Sequence, residues 1–478
     1  MADRKGLTRM GIRAAGGLIG LGVAVVVVGG ATLLPLPDFA IGAPAQTVTP
    51  VPADQQRVCP GPLLALASDA GAATRPSALG APDFSSAADD ADVRTSPLKP
   101  DADSRDSDEP PLTASVPTPQ GATAPPLFAA AQSQTATSQD LAGLAAAACA
   151  EPSPDTWLVA GATSLGQTSL VLLSNAGAVD ATVDLSIYTE SGPVSAPGAT
   201  GVVVPAGAQK VVPLAGLAPS ASAPVVRVQT TGGEVTASLQ QSYEQGIQPR
   251  GAEIAGATGA PARQQVIPGV TLASFAAIQS AQSAEGVGVD FPVVRLLAPG
   301  DRDAQVTIGA VGETGTAAGD SYATTVKAGT VAEVPLDHLK DGSYTVTVNA
   351  NVPVVASVRT SVIGSKARDF TWFSSAQPLQ KELLASVPSG GSATLHFANA
   401  GEADRTVTVT GLGGGGKPTK LTIPAEGGAL IKVAPGGYRI AGADGLHGSV
   451  SFAADGRASS FVLAPPGPLA APITVYPN

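Results

Sequence analysis

Residues 181–188 read ATVDLSIY, so Val183, Leu185 and Ile187 alternate with Thr182, Asp184 and Ser186. A period of two predicts a β-strand with one face buried. Similar short runs follow residue 157: "TSLVLLSN" (168–175), "VVRVQT" (225–230) and "EVTASLQQSY" (234–243), each broken by Gly, Pro, Asn or Asp. No long stretch after residue 151 keeps a helical period. "ASFAAIQSAQSAEG" (273–286) predicts one short helix.

The strand pattern recurs in order. "NAGAVDATVDLSIYTESG" (175–192) aligns with "APGDRDAQVTIGAVGETG" (298–315) and "NAGEADRTVTVTGLGGGG" (399–416). The next blocks are "GVVVPAGAQKVVPLAGL" (201–217), "ATTVKAGTVAEVPLDHL" (323–339) and "KLTIPAEGGALIKVAPG" (420–436). A third set is "VVRVQTTGGEVTASLQQS" (225–242), "YTVTVNANVPVVASVRTS" (344–361) and, more loosely, "YRIAGADGLHGSVSFAAD" (438–455). Three blocks in the same order predict three copies, each of about six or seven strands. Strands with turn signals every ~8–12 residues favour an antiparallel, immunoglobulin-like sandwich. A propeller blade of roughly 40–50 residues is too short for this period.

Two segments precede the copies. Arg4, Lys5, Arg9 and Arg13 stand before "AAGGLIGLGVAVVVVGGATLL" (14–34), which carries no charge. As a helix it would span ~30 Å, a bilayer core, with the N-terminus cytoplasmic and the bulk outside. Ala43 and Ala45 form a loose A-x-A beyond that run, so cleavage would leave a secreted chain. Residues 66–148 are rich in Ala, Ser, Thr, Pro and Asp, with nine acids against Arg94, Lys99 and Arg105 between Asp83 and Glu109. With Phe84 and Phe128 as their only aromatics, they predict a disordered acidic insertion. The fold class expected is therefore all-β: tandem immunoglobulin-like antiparallel β-sandwich repeats after an N-terminal transmembrane helix and a disordered acidic insertion. The segments are a tail (1–13), an anchor (14–34), a linker and first strand (35–65), the insertion (66–148) and repeats at 149–262, 263–370 and 371–478.

Composition narrows function. Charged residues are 14 % of the chain and the net charge is −11. Nucleic acid is disfavoured, because phosphate contacts need clustered Lys and Arg. The two cysteines, Cys59 and Cys149, have no metal-ligand spacing. Outside the cytoplasm they read as one disulfide, with two free thiols as the alternative. "QQRVCPGPLL" (55–64) resembles "RQQVIPGVTL" (263–272), which places Cys59 on a first strand, that of the first copy. The bridge would close a loop of about 90 residues, worth ~4–5 kcal/mol on a chain-entropy model.

An anchor, "RVCPGPLL", an acidic low-complexity stretch and valine-rich repeats together resemble an uncharacterised family of actinobacterial membrane-anchored envelope proteins. The resemblance implies location and topology and carries over no catalytic residue.

Chemistry-bearing residues are few. His338, His396 and His447 fall in different blocks, so no metal site is expected. Ser96–Lys99 is an S-x-x-K inside the insertion, and "GLGGGG" (411–416) reads as a loop. Asp301 and Asp303 read as a solvated turn. Trp157 and Trp372, each just ahead of a copy, read as core in preference to a sugar platform. No catalytic, cofactor or metal residue is assigned. The expectation is a non-enzymatic envelope protein acting as a binding or scaffold module. Its partners would be the membrane, through the anchor, and envelope proteins or wall polysaccharide. A carbohydrate-binding protein is the alternative, and a wall-active hydrolase the more remote one.

Overall fold

The computed structural model describes residues 46–48, 54–66, 75–89, 91–101, 109–122, 124–282, 290–315, 319–413, 417–464 and 473–475. The expected tail (1–13) and anchor (14–34), and Ala43 and Ala45, lie outside these residues. Among the described residues no helix is long and apolar enough to cross a membrane. The described chain is nearly all β, in antiparallel sheets, with one α-helix among them at Phe275–Gln282, inside the stretch where the sequence places it. Two compact units exist. In the smaller, Gln46–Val48 pairs antiparallel with Ile473–Val475. The larger holds residues 51–470.

Residues 155–255 form two facing sheets, here sandwich A. One runs Asp155–Leu158, Val225–Thr231, Ala181–Thr189, the last pairing also with Gly192–Val194 and Val202–Val204. The other runs Ala208–Pro213, Gln167–Asn175, Thr236–Gln245, Gln248–Ala255. Val183, Leu185 and Ile187 enter the core between the sheets, as the alternation requires, with Val171, Leu173 and Leu239 from the opposite sheet.

Residues 382–462, sandwich C, repeat that order. The strands are Glu382–Val387, Gly436–Ala441, Arg405–Gly411, Thr419–Ile423, facing Gly427–Val433, Ser392–Asn399, His447–Ala454, Arg457–Val462. Sandwich B, residues 262–374, has it too, with one variation. Gly342–Ile363 is a single strand of 22 residues whose first half pairs with Ala262–Leu272 and Ala304–Gly312, and whose second half pairs with Val293–Leu297 and Arg368–Ser374. It thus serves both sheets.

The recurring phrase closes the same turn. In A, Asn175 donates from Nδ2 to the carbonyls of Val179 and Val204, while its Oδ1 accepts the Gly177 N–H. In C, Asn399 repeats this with Ala403, Ile423 and Gly401. The aspartate that follows accepts a backbone N–H from the next block in all three: Asp180 from Ala206, Asp303 from Ala328, Asp404 from Ala425. These side chains satisfy turn amides that the sheet ladder cannot reach.

The expectation for residues 66–148 is corrected. Strands run through this stretch at Pro76–Ala78, Asp83–Ala88, Arg94–Pro97, Leu112–Val116, Phe128–Thr137 and Ala142–Ala148. Pro76–Ala78 pairs with Leu64–Leu66; the other five form, with Gln55–Val58, two three-stranded sheets, ordered Gln55–Val58, Leu112–Val116, Arg94–Pro97 and Asp83–Ala88, Phe128–Thr137, Ala142–Ala148. That order is the one in A, B and C with the outer strands trimmed; we call it sandwich N. The Cys59–Cys149 disulfide, 90 residues apart, lies at its core with Ala114, Val116, Phe128 and Ala130. So Gln55–Val58 pairs within N rather than within A, where Asp155–Leu158 takes the first position. Alanine is the reason. Ala142–Ala148 is covered on both faces: Ala145 and Ala147 pack with Leu63 and Ile254, Leu144 and Ala146 with Leu383 and Leu395. Such a position needs small side chains, so scarcity of large apolar residues does not imply exposure there.

The last strands of all four sandwiches meet. Ala142–Ala148 packs on Gln248–Ala255, that on Arg368–Ser374, that on Arg457–Val462, and that again on Ala142–Ala148. The approach is close: a Cβ on Gly143 would lie 2.3 Å from the Ala252 nitrogen, and one on Gly251 would lie 2.5 Å from the Phe370 ring. The four strands therefore close a cycle.

Candidate functional site

The chemistry-bearing side chains gather where sandwiches meet. At the centre of the cycle Asp369 is almost wholly buried. Its Oδ1 accepts from the N–H of Ala252 at 3.2 Å and of Phe370 at 3.0 Å, and its Oδ2 from Leu144 at 2.8 Å and Ala458 at 3.4 Å. One carboxylate thus takes an amide from each of the other three last strands. Glu253 lies beside it, fully buried; its Oε1 accepts from Ser459 Oγ at 2.7 Å and its Oε2 has no hydrogen-bond partner. Burial pushes both carboxyls well above their ordinary range, against the pull of these donors.

The boundary between A and B turns on Arg295, which is fully buried in the otherwise apolar strand Val293–Leu297. Its guanidinium donates to the carbonyls of Gly161 (2.8 Å), Pro224 (2.9 Å) and Ser222 (3.3 Å), all in A, and to Glu333 Oε1 (2.7 Å) in B. It also lies 4.4 Å over the Trp372 ring. Burial lowers the Arg295 pKa. Burial pushes Glu333 up, but Arg295 and Arg359 outweigh it and hold the carboxyl below its usual range.

The boundary between B and C holds a buried chain of three groups. His396 Nδ1 lies 2.5 Å from Glu313 Oε2, and its Nε2 lies 2.7 Å from Ser451 Oγ. Glu313 Oε1 accepts from the Gly269 N–H at 2.9 Å and Thr345 Oγ1 at 3.0 Å. In composition this is the serine–histidine–carboxylate relay of acyl-transfer enzymes. Its setting is different. Ser451 sits mid-strand between Thr394 and Ser460, so the adjoining amides belong to ladders and cannot gather as an oxyanion hole. The imidazole is 1 % exposed and covered by Gly269, whose added Cβ would lie 2.6 Å from it. The arrangement works as a lock between sandwiches.

Glycine opens each lock. Gly61, Gly161 and Gly390 follow the first strand of N, A and C, and Gly269 sits at an irregularity inside the first strand of B; their φ are 91°, 94°, 132° and 78°. The backbone beside each glycine accepts from the next sandwich round: Pro60 O from Gln209, Val159 O from Ser357, Pro268 O from Ser449, and Ser389 O from Ser133. The head-to-tail contacts run N to A, A to B, B to C and C to N, so they close as the central strands do.

A surface groove of about 350 Å³ lies along the A–B boundary, lined among others by Asp155, Tyr188, Arg227, Asp301 and Arg302. Arg227 holds Asp155 in a bidentate pair and lies 5.2 Å over Trp157. The hydrogen bond to Asp155 raises the Arg227 pKa.

The residues singled out from sequence fall as follows. Cys59 and Cys149 are bonded. Trp157 and Trp372 are buried, 4 % and 1 % exposed, and an arginine covers each ring. Asp301 lines the groove; Asp303 closes a turn. His338 is exposed beside Asp320, and His447 bonds the Ala376 carbonyl. Among the described residues no three His, Cys, Asp or Glu could hold a metal ion. Ser96 and Lys99 are exposed, Ser96 within the ordered strand Arg94–Pro97. Residues 414–416 of "GLGGGG" lie outside the described residues. Sequence reasoning passed over Arg295, Glu313, Ser451, Glu253 and Asp369. The available signal was a charged residue inside an apolar run, as in "FPVVRLLA" (291–298).

A comparison with curated proteins finds no match. Among solved structures, a GH78 family rhamnosidase of Bacillus sp. GL1 aligns at 8 % identity with a TM-score of 0.11, over 69 % of this chain and 56 % of that one. The chain thus spans little more than half the length of that enzyme, and the likeness carries no argument. A family model described as a family of unknown function (DUF5719) matches residues 102–436, well over half of the sequence, and the chain belongs to that family.

Proposed function

We propose that this chain is a non-enzymatic, membrane-anchored extracytoplasmic protein of the cell envelope, a rigid binding or scaffold module built from tandem immunoglobulin-like sandwiches. The observation that carries the reading is the closed cycle of sandwiches, clasped by Asp369 and locked by Arg295 and by Glu313–His396–Ser451. Side chains that could do chemistry are here consumed in joining sandwiches, and a body joined that way presents fixed surfaces. A disulfide persists in an oxidising compartment, which favours the outward side. The uncharged run at 14–34 supplies the anchor. Envelope proteins are the partner class, and the A–B groove is the surface offered to them.

A photoreactive residue at Arg302, in the full chain expressed in cells, tests this. The expected result is a discrete adduct with an envelope protein, absent when the same probe replaces the exposed Arg405 on sandwich C. The reading fails if purified chain releases product from cell-wall material and Ser451→Ala abolishes the release.

A further inference from the structure

Arginines also gather beside the A–B lock, around Asp290, where Arg359 lies over the same Trp372 ring as Arg295. Arg368 Nη1 lies 3.8 Å from Asp290 Oδ2. Arg359 donates to the carbonyl of Phe291, the next residue, and its Nε is buried with no partner. The pairing of Gly342–Ile363 with Arg368–Ser374 sets Arg359 opposite Trp372 and Ile363 opposite Arg368, so both arginines belong to one face of that pair. Arg250 completes the set. It precedes Gly251, which abuts the Phe370 ring, and its Nε is likewise buried without a partner. Asp290 has Arg368, Arg359 and Arg250 as its three cationic neighbours, and Tyr243 has the same three and Asp290. Burial pushes the Asp290 carboxyl up even so.

The charge does not close: Asp290 faces three guanidiniums, and Glu333, the second carboxylate that Arg359 neighbours, is already paired with Arg295. Arg295 and Arg57 are by contrast each met by a carboxylate, Glu333 and Glu151. Buried donors without acceptors are costly, and guanidinium forks match tetrahedral oxyanions. We infer that Arg250, Arg359 and Arg368, with the Tyr243 hydroxyl, form a binding site for a phosphoryl oxyanion. The hairpin between Tyr243 and Arg250 carries Ile247, 93 % exposed, and Leu165 on the neighbouring turn is fully exposed. Glu244 on that hairpin is exposed as well. Aliphatic tips beside a phosphate site fit a lipid headgroup; a soluble phosphate would need the arginines alone. The site does not depend on the scaffold reading.

The test is calorimetric titration of the full chain in a non-ionic detergent at moderate salt. The probes are inorganic phosphate and dihexanoyl phosphatidic acid below its micellar concentration. Saturable one-to-one binding is expected for both. Arg250→Gln and Arg368→Gln should each weaken it about tenfold, the loss of one charge-assisted contact, while Arg405→Gln on sandwich C leaves it unchanged. Arg359→Gln is avoided because its burial threatens folding; an unchanged melting temperature qualifies the other variants. If Ile247→Asn weakens only the lipid probe, the source is a headgroup; if it weakens neither, the source is soluble phosphate. Absence of saturable binding by both probes, or binding indifferent to Arg250→Gln and Arg368→Gln, overturns the site.

Discussion

Sandwich B meets its two neighbours by different chemistry. Toward A it extends Arg295, a permanent cation that ends on three backbone carbonyls and one carboxylate. Toward C it extends Glu313, a carboxylate that ends on a histidine, a threonine and a backbone amide. Both boundaries are buried, and both are satisfied almost donor for acceptor. The difference lies in what happens when a partner is lost. Arginine cannot shed its charge, whereas Glu313 keeps the Gly269 amide and the Thr345 hydroxyl as donors when His396 is lost. The A–B boundary is therefore the less forgiving, and the centre, where one carboxylate serves four amides, is less forgiving still.

Five variants sharpen that ranking, each read as the denaturant midpoint of the full chain in detergent. Asp369→Asn comes first. An amide presents donors to the Leu144 and Ala458 N–H groups, or to those of Ala252 and Phe370, and a loss of about 3–5 kcal/mol is expected, as for a broken buried network. Arg295→Ala should cost about 3–4 kcal/mol, since Glu333 and three carbonyls lose their partner. Arg295→Met, which fills the space, should cost clearly less. Joint replacement of Cys59 and Cys149 by serine should cost about 2–4 kcal/mol and open sandwich N first, as followed by exchange of its amides. His396→Ala should cost about 2–3 kcal/mol. A smaller cost for Arg295→Ala than for His396→Ala would reverse the comparison.

A pH dependence follows from Glu253. Burial raises its carboxyl in the folded chain, so the fold holds a proton that the unfolded chain releases. Its contribution is complete below the ordinary carboxylate range and declines as pH climbs from there through the raised folded value. Glu253→Gln, whose partner Ser459 can still donate to an amide oxygen, should flatten that decline at little cost near neutrality. An unchanged slope would contradict protonation of Glu253 in the fold.

Much of the architecture was legible. Val183, Leu185 and Ile187 declared a strand and its inner face by alternation alone. The three phrases at 175, 298 and 399 marked equivalent turns because Asn175 and Asn399, and Asp180, Asp303 and Asp404, do the same work. The resemblance of residues 55–64 to 263–272 was correct in kind: Pro60–Gly61 ends the first strand of N, and Pro268–Gly269 interrupts the ladder of the first strand of B. It was read into the wrong sandwich because residues 66–148 were scored by their acids and missing aromatics, and alanine's fitness for a strand covered on both faces leaves no mark in such a count. The locks were illegible for another reason. Arg295, Glu313 and Asp369 acquire their roles from partners in other sandwiches, and local pattern holds no information on which surfaces will meet.

Amide hydrogen exchange across the four last strands tests the closed cycle most directly. In the full chain at neutral pH, Ala142–Ala148, Gln248–Ala255, Arg368–Ser374 and Arg457–Val462 should exchange with one shared opening free energy, the largest in the molecule, and Asp369→Asn should lower all four together. Four unrelated opening energies, or a fall confined to Arg368–Ser374, would contradict the account.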